Sequence, residues 1–194
     1  GDLWLLVLGE LVGAGLERRG GARDHAMLSL ERAALSSFPS SLSPSSLWVS
    51  CFDNVVWRLL EGLTAEGSAL EAQRTLEHDS SDHGGIEKSQ MRAWLLACTL
   101  LLKHLPTLAA LPEFKDIWLR FLQLTEKLMK GARSSLAVDC VPQQLSDIVA
   151  VVEEVDELRQ DKQLWASTWH LLDRIAPSLR ASRSSPSAAA AAKP

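Results

Sequence analysis

Residues of the types that do chemistry gather at four places in this 194-residue sequence. The first is "EHDSSDHGG" at 77–85, where Glu77, His78, Asp79, Asp82 and His83 are all potential metal ligands. A tight metal site holds such ligands on rigid elements at fixed geometry. Here they stand among Ser and Gly, so a solvated acidic loop is the expectation. The second is a thiol nucleophile assembled from Cys98 or Cys140 with His104 or His170. Cys98 lies in "AWLLACTLLL", where a thiol behaves as a small hydrophobe and its pKa rises instead of falling. No G-x-S-x-G or Q-A-C-x-G signature surrounds any Ser or Cys. The third, "GLERRGGAR", brings Arg18, Arg19 and Arg23 together but lacks the Lys-Ser/Thr of a phosphate-binding loop. It reads as an exposed turn whose attraction to anionic lipid is weak, about 1 kcal/mol per arginine at best.

The fourth place is "LWASTWHLLDRIAPSLR" at 164–180, with Ser167, His170 and Asp173 between and after two tryptophans. An aromatic cage needs rings converging on a cavity with acidic neighbours. On a helix Trp165, Trp169 and Leu172 fall to one side with Leu164, Thr168, Leu171 and Ile175, while Asp173 and Arg174 point elsewhere. Core packing is the expectation. No catalytic, cofactor-binding or metal-binding residue is assigned, and neither an enzymatic activity, a cofactor nor a small-molecule substrate is expected.

The elements that carry these residues are helical. Apolar residues recur at three- and four-residue steps almost throughout. The clearest case is 111–131, where Phe114, Ile117, Trp118, Phe121, Leu124, Thr125 and Leu128 form one stripe. Pro112 suits a first helical position, Glu113 and Asp116 the positive end of the dipole, and Lys127, Lys130 and Gly131 the close. Residues 43–63 begin with Ser43-Pro44 and align Trp48, Cys51, Phe52, Val55, Val56 and Leu59. Residues 86–105 are apolar nearly all round, as in a helix surrounded by others. The β-branched run Ile148 to Val152 could form a strand, but Leu145, Ile148, Val149, Val152 and Val155 behind Pro142 favour a helix over 141–158. Helices at about 3–14 and 25–36 complete the set.

The expected architecture is all-α: a HEAT-like α-solenoid or irregular helical array of about six to seven helices. It forms one repeat-like domain over 1–180, interrupted by loops at 36–46 and 77–85. The low-complexity end at 181–194 is expected to be a disordered tail. No fixed-period repeat is present, so any repeat is structural.

Composition limits partners. At 46% hydrophobic and 23% charged residues the chain can bury a core. A formal net charge of −4 argues against nucleic acid as a partner. Seven Trp and no Tyr suit cores or interfaces. Three widely separated cysteines, Cys51, Cys98 and Cys140, fit a reducing, cytosolic setting. The longest apolar run falls short of the ~20 residues of a membrane span. A start without Met or a basic n-region, already inside an apolar stripe, suggests a piece of a longer protein.

Four segments in order carry a family resemblance. "LWVSCFDNVVWRLLEGL" (47–63) resembles a Trp-x-x-Cys-Phe segment, and 100–132 a Phe…Leu-Trp-Leu…Met helix. "VDCVPQQLSDIVAVVEEVDEL" (138–158) resembles a Val-Pro-Glu-x-Leu-Lys-Asn segment, with Gln143 for the acid and Ser146-Asp147 for Lys-Asn. "LWASTWHLLDRIAPSLR" resembles a closing Leu-Trp-x-x-Thr-Trp…Pro-x-Leu helix. The family is the large ARF guanine-nucleotide exchange factors of the Golgi brefeldin A-resistance and GNOM type, in the last helical region downstream of their catalytic domain. That domain carries an invasive glutamate in a Gly-Glu-Ala-Gln loop, which does not occur here. The resemblance implies a non-catalytic role in ARF activation, a cytosolic chain peripherally associated with Golgi membranes, and protein partners. Those partners would include other domains of the parent and self-association. Alternatives are a generic HEAT-like adaptor or a membrane-surface module.

Overall fold

The computed structural model describes residues 2–17, 19–36, 44–74, 83–131 and 135–179. Every regular element among them is helical: α1 (Asp2–Gly15), α2 (Gly20–Ser36), α3 (Pro44–Cys51), a π-helical segment (Phe52–Trp57), α4 (Arg58–Arg74), α5 (His83–Lys103), α6 (Leu105–Ala109), α7 (Phe114–Gly131), α8 (Ser135–Glu153), α9 (Asp156–Arg159) and α10 (Lys162–Ile175). Residues 44–74 run as one continuous helix through the π segment, and α6 and α9 are single turns. The long helices therefore match the expected number and the all-α class. The linker at 37–43, the loop residues 75–82 and the tail from residue 180 lie outside the described residues.

Local chemistry moves several boundaries. Pro112 does not open α7 but sits in the turn before it, where the Phe114 amide donates to the Leu111 carbonyl at 3.1 Å and helix begins at Phe114. Pro142 lies inside α8 instead of at its start. A proline removes the N–H that would bond four residues back, and that carbonyl belongs to Val138, whose side chain faces outward at 51% exposure. The helix continues because Ala137, Val141, Leu145, Ile148, Val149 and Val152 bury one face through the proline. It then stops before the expected 158: Val155 is extended, and α9 restarts at Asp156. At the end of α10, Ala176 is non-helical ahead of Pro177, as the residue before a proline prefers.

One hydrophobic core runs the length of the described chain. α1 packs on α2, α4 and the π segment; α2 and α4 pack on α5; α7 lies against α4, α5 and α10; α8 contacts α5 and α9. Trp48, Trp57, Trp94 and Trp118 are completely buried. Trp48, Phe52 and Trp57 make a chain of rings, with centroids 6.4 and 5.1 Å apart. Trp94, Phe121 and Trp118 make another, at 6.2 and 5.9 Å.

Indole N–H groups buried this deeply need acceptors. Trp94 Nε1 of α5 donates to Thr125 Oγ1 of α7, and Trp118 Nε1 of α7 donates to Thr168 Oγ1 of α10, both at 2.9 Å. Thr125 passes its own proton to the Phe121 carbonyl at 2.8 Å. The same Trp-to-Thr tie thus repeats across successive helix pairs, a structural repeat with no periodic sequence beneath it.

Charged ties join the same elements. Arg92 grips Glu31 through two bonds of 3.1 and 3.2 Å, fastening α5 to α2. Arg120 of α7 reaches Asp53 at 3.3 Å and Glu61 at 3.0 Å, with its guanidinium over the Trp57 ring at 5.6 Å. The Glu126 carboxylate, buried on α7, meets Lys130 at 2.7 Å and Arg174 of α10 at 2.6 Å. Lys130 foremost, with Arg174, holds that carboxyl below the usual carboxylate range.

Candidate binding surface

The four places singled out in the sequence resolve differently. In the acidic loop, Glu77, His78, Asp79 and Asp82 lie outside the described residues, and His83 opens α5. Among the described residues, no group of three His, Cys, Asp or Glu is placed to hold a metal ion.

The thiols and imidazoles do not converge. Cys51 and Cys98 are buried; burial pushes the Cys51 thiol up to about 12 and the Cys98 thiol higher still. His104 stands just past the end of α5, six residues and roughly 9 Å along the helix from Cys98. It is committed to packing: its ring lies 4.3 Å from that of Trp48, and burial, then the neighbouring Lys103 charge, lowers its pKa. Cys140 is half-buried on α8, and His170 is exposed on α10.

The arginine cluster is dispersed. Arg23 is buried at 1% exposure, donating Nε to the Glu17 carbonyl at 3.1 Å and pairing with Glu66 at 3.7 Å. It is a core tie between α2, α4 and the end of α1, not a lipid contact. Arg18 lies outside the described residues, and Arg19 is exposed.

At the fourth place the expectation is corrected in part. α10 is capped at its start by Asp161, which accepts from the Gln163 and Leu164 amides at 3.0 and 2.9 Å and pairs with Lys115. These bonds, Lys115 first, hold its carboxyl below the ordinary range. The buried face consists of Leu164, Thr168, Leu171, Leu172 and Ile175. Trp165 and Trp169 sit one row around the helix and are only half-buried. Ser167, His170 and Asp173 drift around the helix by about 60° per three-residue step and form no catalytic cluster. The indoles instead line a surface groove of about 790 Å³ between the end of α8, α9 and α10. The other lining residues are Ala150, Glu153, Glu154, Arg159, Lys162 and Ala166. Trp165 is fixed there by its N–H, which donates to the Leu158 carbonyl at 2.8 Å. The neighbours on the groove side are therefore acids, bases and alanines, not the leucines that periodicity suggested.

A second outward feature is the apolar face of α1, with Leu3, Leu6 and Val7 exposed at 76%, 62% and 47%. A smaller cleft of about 330 Å³ beside Arg120 is lined by Glu61, Asp116, Leu119, Gln123, Leu124 and Lys127. Its arginine is already engaged with Asp53 and Glu61. What the arrangement offers is surfaces for binding.

Comparison with known proteins places the chain among relatives. The family model described as "GBF1-like, tetratrico peptide repeat region" matches residues 4–179. The chain belongs to this family. Among curated relatives, it is 30% identical over 189 residues to the ARF guanine-nucleotide exchange factor GNOM of Arabidopsis thaliana, covering 93% of this chain and 12% of that protein. It is 26% identical over 190 residues to the ARF guanine-nucleotide exchange factor GNL1 of the same plant, with the same coverage. It is also 26% identical over 178 residues to the Golgi-specific brefeldin A-resistance guanine nucleotide exchange factor 1 homolog of Caenorhabditis elegans, covering 92% of this chain and 8% of that protein. The chain thus spans 12% or less of the length of these relatives. No solved structure matches it. No helix among the described residues is long and apolar enough to cross a membrane.

Proposed function

We propose that the chain is a non-catalytic regulatory and scaffolding region of a large ARF guanine-nucleotide exchange factor acting in Golgi vesicle traffic. It contributes to membrane recruitment or partner binding from the cytosol, with peripheral contact at Golgi membranes. The observation that carries the reading is the alignment with GNOM along 93% of this chain at 30% identity. A non-catalytic role is supported by the missing Gly-Glu-Ala-Gln loop and by the burial of Cys51 and Cys98. Residues 1–180 act as one helical unit, with 181–194 a low-complexity tail. Its partners are proteins: other domains of the parent, or a second copy.

The parent gene should encode an exchange domain upstream. The isolated chain should leave GDP release from ARF at the spontaneous rate, and its deletion from the parent should reduce Golgi recruitment while exchange in solution persists. A parent without an exchange domain, or a fragment that speeds nucleotide release, refutes the assignment. The apolar face of α1 favours a second reading, attachment to a membrane surface. The charges nearest that face in sequence are Asp2 and Glu10, and Arg23 is buried, so protein contact suits it better. The peripheral Golgi contact then runs through protein partners, and flotation with protein-free anionic vesicles at low salt should recover no chain.

A further inference from the structure

α1 is apolar on more sides than its neighbours use. Toward α2, α4 and the π segment it buries Leu8 and Val12 completely. Leu3, Leu6, Val7 and Glu10 share an arc of about 100° on the opposite side of the helix, and all four are exposed. A helix apolar all round is one surrounded by others, and the outermost helix of a stacked array turns a polar face to water. α1 stands outermost among the described helices yet has the first pattern. Its exposed row is spaced i, i+3, i+4, i+7, the ridge that packs into the groove of another helix. Two glycines extend this face. Glycine inside a helix is destabilising relative to alanine, so it needs a reason. Gly15 has one within the chain: a Cβ there would stand 3.5 Å from Leu59 and 3.6 Å from Met27. A Cβ on Gly9 or Gly13 would meet nothing within 4 Å among the described residues. Gly13 lies two turns beyond Leu6 and about 20° around from it, where a missing side chain lets a second helix come close.

We infer that the outer face of α1 is covered by a helix from elsewhere in the parent polypeptide. Its apolar row packs on Leu3, Leu6 and Val7, its backbone approaches Gly13, and a Lys or Arg meets Glu10, the one charge on the row. The inference rests on the chain being part of a large exchange factor and adds the surface that joins it to the rest. The chain spans 12% or less of its relatives, so most of a parent of that length lies outside it. A second copy suits the face less. Three aliphatic side chains cover only a fraction of the about 800 Å² per partner in a stable interface. A contact this small holds where its two sides are already linked, at effective concentrations around millimolar. A symmetric pair would also set acidic row against acidic row.

Leu6→Cys puts a thiol in the middle of the row. Its rate of modification by a maleimide, read by peptide mass, is compared between this chain and the full-length parent. Cys51 and Cys98 are buried, so their silence in the same sample certifies that the chain is folded. The new thiol should react at least tenfold more slowly in the parent, and Leu3→Cys, an independent position, should behave alike. In the parent carrying Leu3→Cys, adding Gly13→Leu or Glu10→Lys should return labelling toward the rate of the chain alone. Gly13→Leu should at the same time raise the melting temperature of the chain by itself, since there it only improves helix propensity. Equal rates in chain and parent at both positions overturn the proposal, as does protection indifferent to both Gly13→Leu and Glu10→Lys. Slow labelling of the isolated chain that quickens on dilution assigns the face to a second copy, and protection that appears only with added vesicles assigns it to a membrane; either result refutes the proposal. Protection in a parent that has no exchange domain would refute the family role and leave the contact standing. Equal rates in a genuine exchange factor would do the reverse.

Discussion

Replacing Thr168 by valine removes one oxygen from the molecule and almost no volume. Thr168 is completely buried, and its hydroxyl accepts the N–H of the equally buried Trp118 at 2.9 Å. In the valine variant that N–H has lost its acceptor in a site closed to water, at a cost of about 1–3 kcal/mol. The added methyl returns part of this, since a buried CH₂ contributes about 0.8 kcal/mol. A net loss of about 1–2 kcal/mol is expected, which for a chain of this length lowers the melting temperature by roughly 3–6 °C. Circular dichroism at 222 nm measures it without relying on tryptophan emission. Trp118→Phe deletes the donor, so the double variant should be less damaged than the two single changes added together, with a coupling of roughly 1 kcal/mol. Thr99→Val is the control: its hydroxyl bonds the Leu95 carbonyl within one exposed turn, and its change should stay within about 0.5 kcal/mol. A Thr168→Val protein as stable as the parent, or strict additivity with Trp118→Phe, would refute the idea that an indole paired with a threonine hydroxyl fastens α7 to α10.

Other consequences are as direct. Glu126 is held below its ordinary pKa in the folded chain, so it contributes stability above the unfolded carboxyl value and loses it as pH falls through the folded one. Glu126→Gln should flatten that acid limb and cost about 1–2 kcal/mol at neutral pH, less than a fully buried pair because Arg174 and Lys130 are 48% and 68% exposed. Of the three thiols, Cys140 should react with a disulfide reagent in the native state, and Cys51 and Cys98 only on unfolding; three equal fast rates would contradict the burial described. Gly67 is where a side chain would collide with Gln90: a Cβ there would stand 2.5 Å from Nε2, which donates to the Leu63 carbonyl at 2.9 Å. Gly67→Ala should therefore change stability little, its helix-propensity gain of about 0.5–1 kcal/mol offset by the lost bond. In a Gln90→Ala background the same change should give the full gain on thermal melting.

Helix identity was legible in the chain because the apolar stripes are long and the caps local. The stripe on α7, from Phe114 to Leu128, is buried as its spacing predicts. What failed was rotation and long-range pairing. Leu164/Thr168 and Trp165/Trp169 are adjacent rows about 100° apart, and apolar periodicity serves either row as the inward one. The choice falls to Thr168 because the Trp118 indole of another helix supplies its donor. Arg23 reads as solvated in "GLERRGGAR" because its partner Glu66 comes from α4. Pro142 reads as a start signal because local rules favour that position, yet the apolar face through Val141 and Leu145 carries the helix across it. The groove has no sequence signature, since its walls come from three helices.

The π-helical segment has an effect beyond its own turn. In a regular helix each residue advances the side-chain direction by about 100°. One wider turn at Phe52–Trp57 resets that phase without breaking the rod. Before it, α3 addresses α6; after it, α4 addresses α5 and α7, while Phe52, Val55, Val56 and Trp57 all remain inside. A single continuous helix thereby serves two neighbourhoods whose directions a uniform pitch would not match. Removing one residue here would turn the whole of α4 relative to α3, displacing Arg120's partner Glu61 and Arg23's partner Glu66 together.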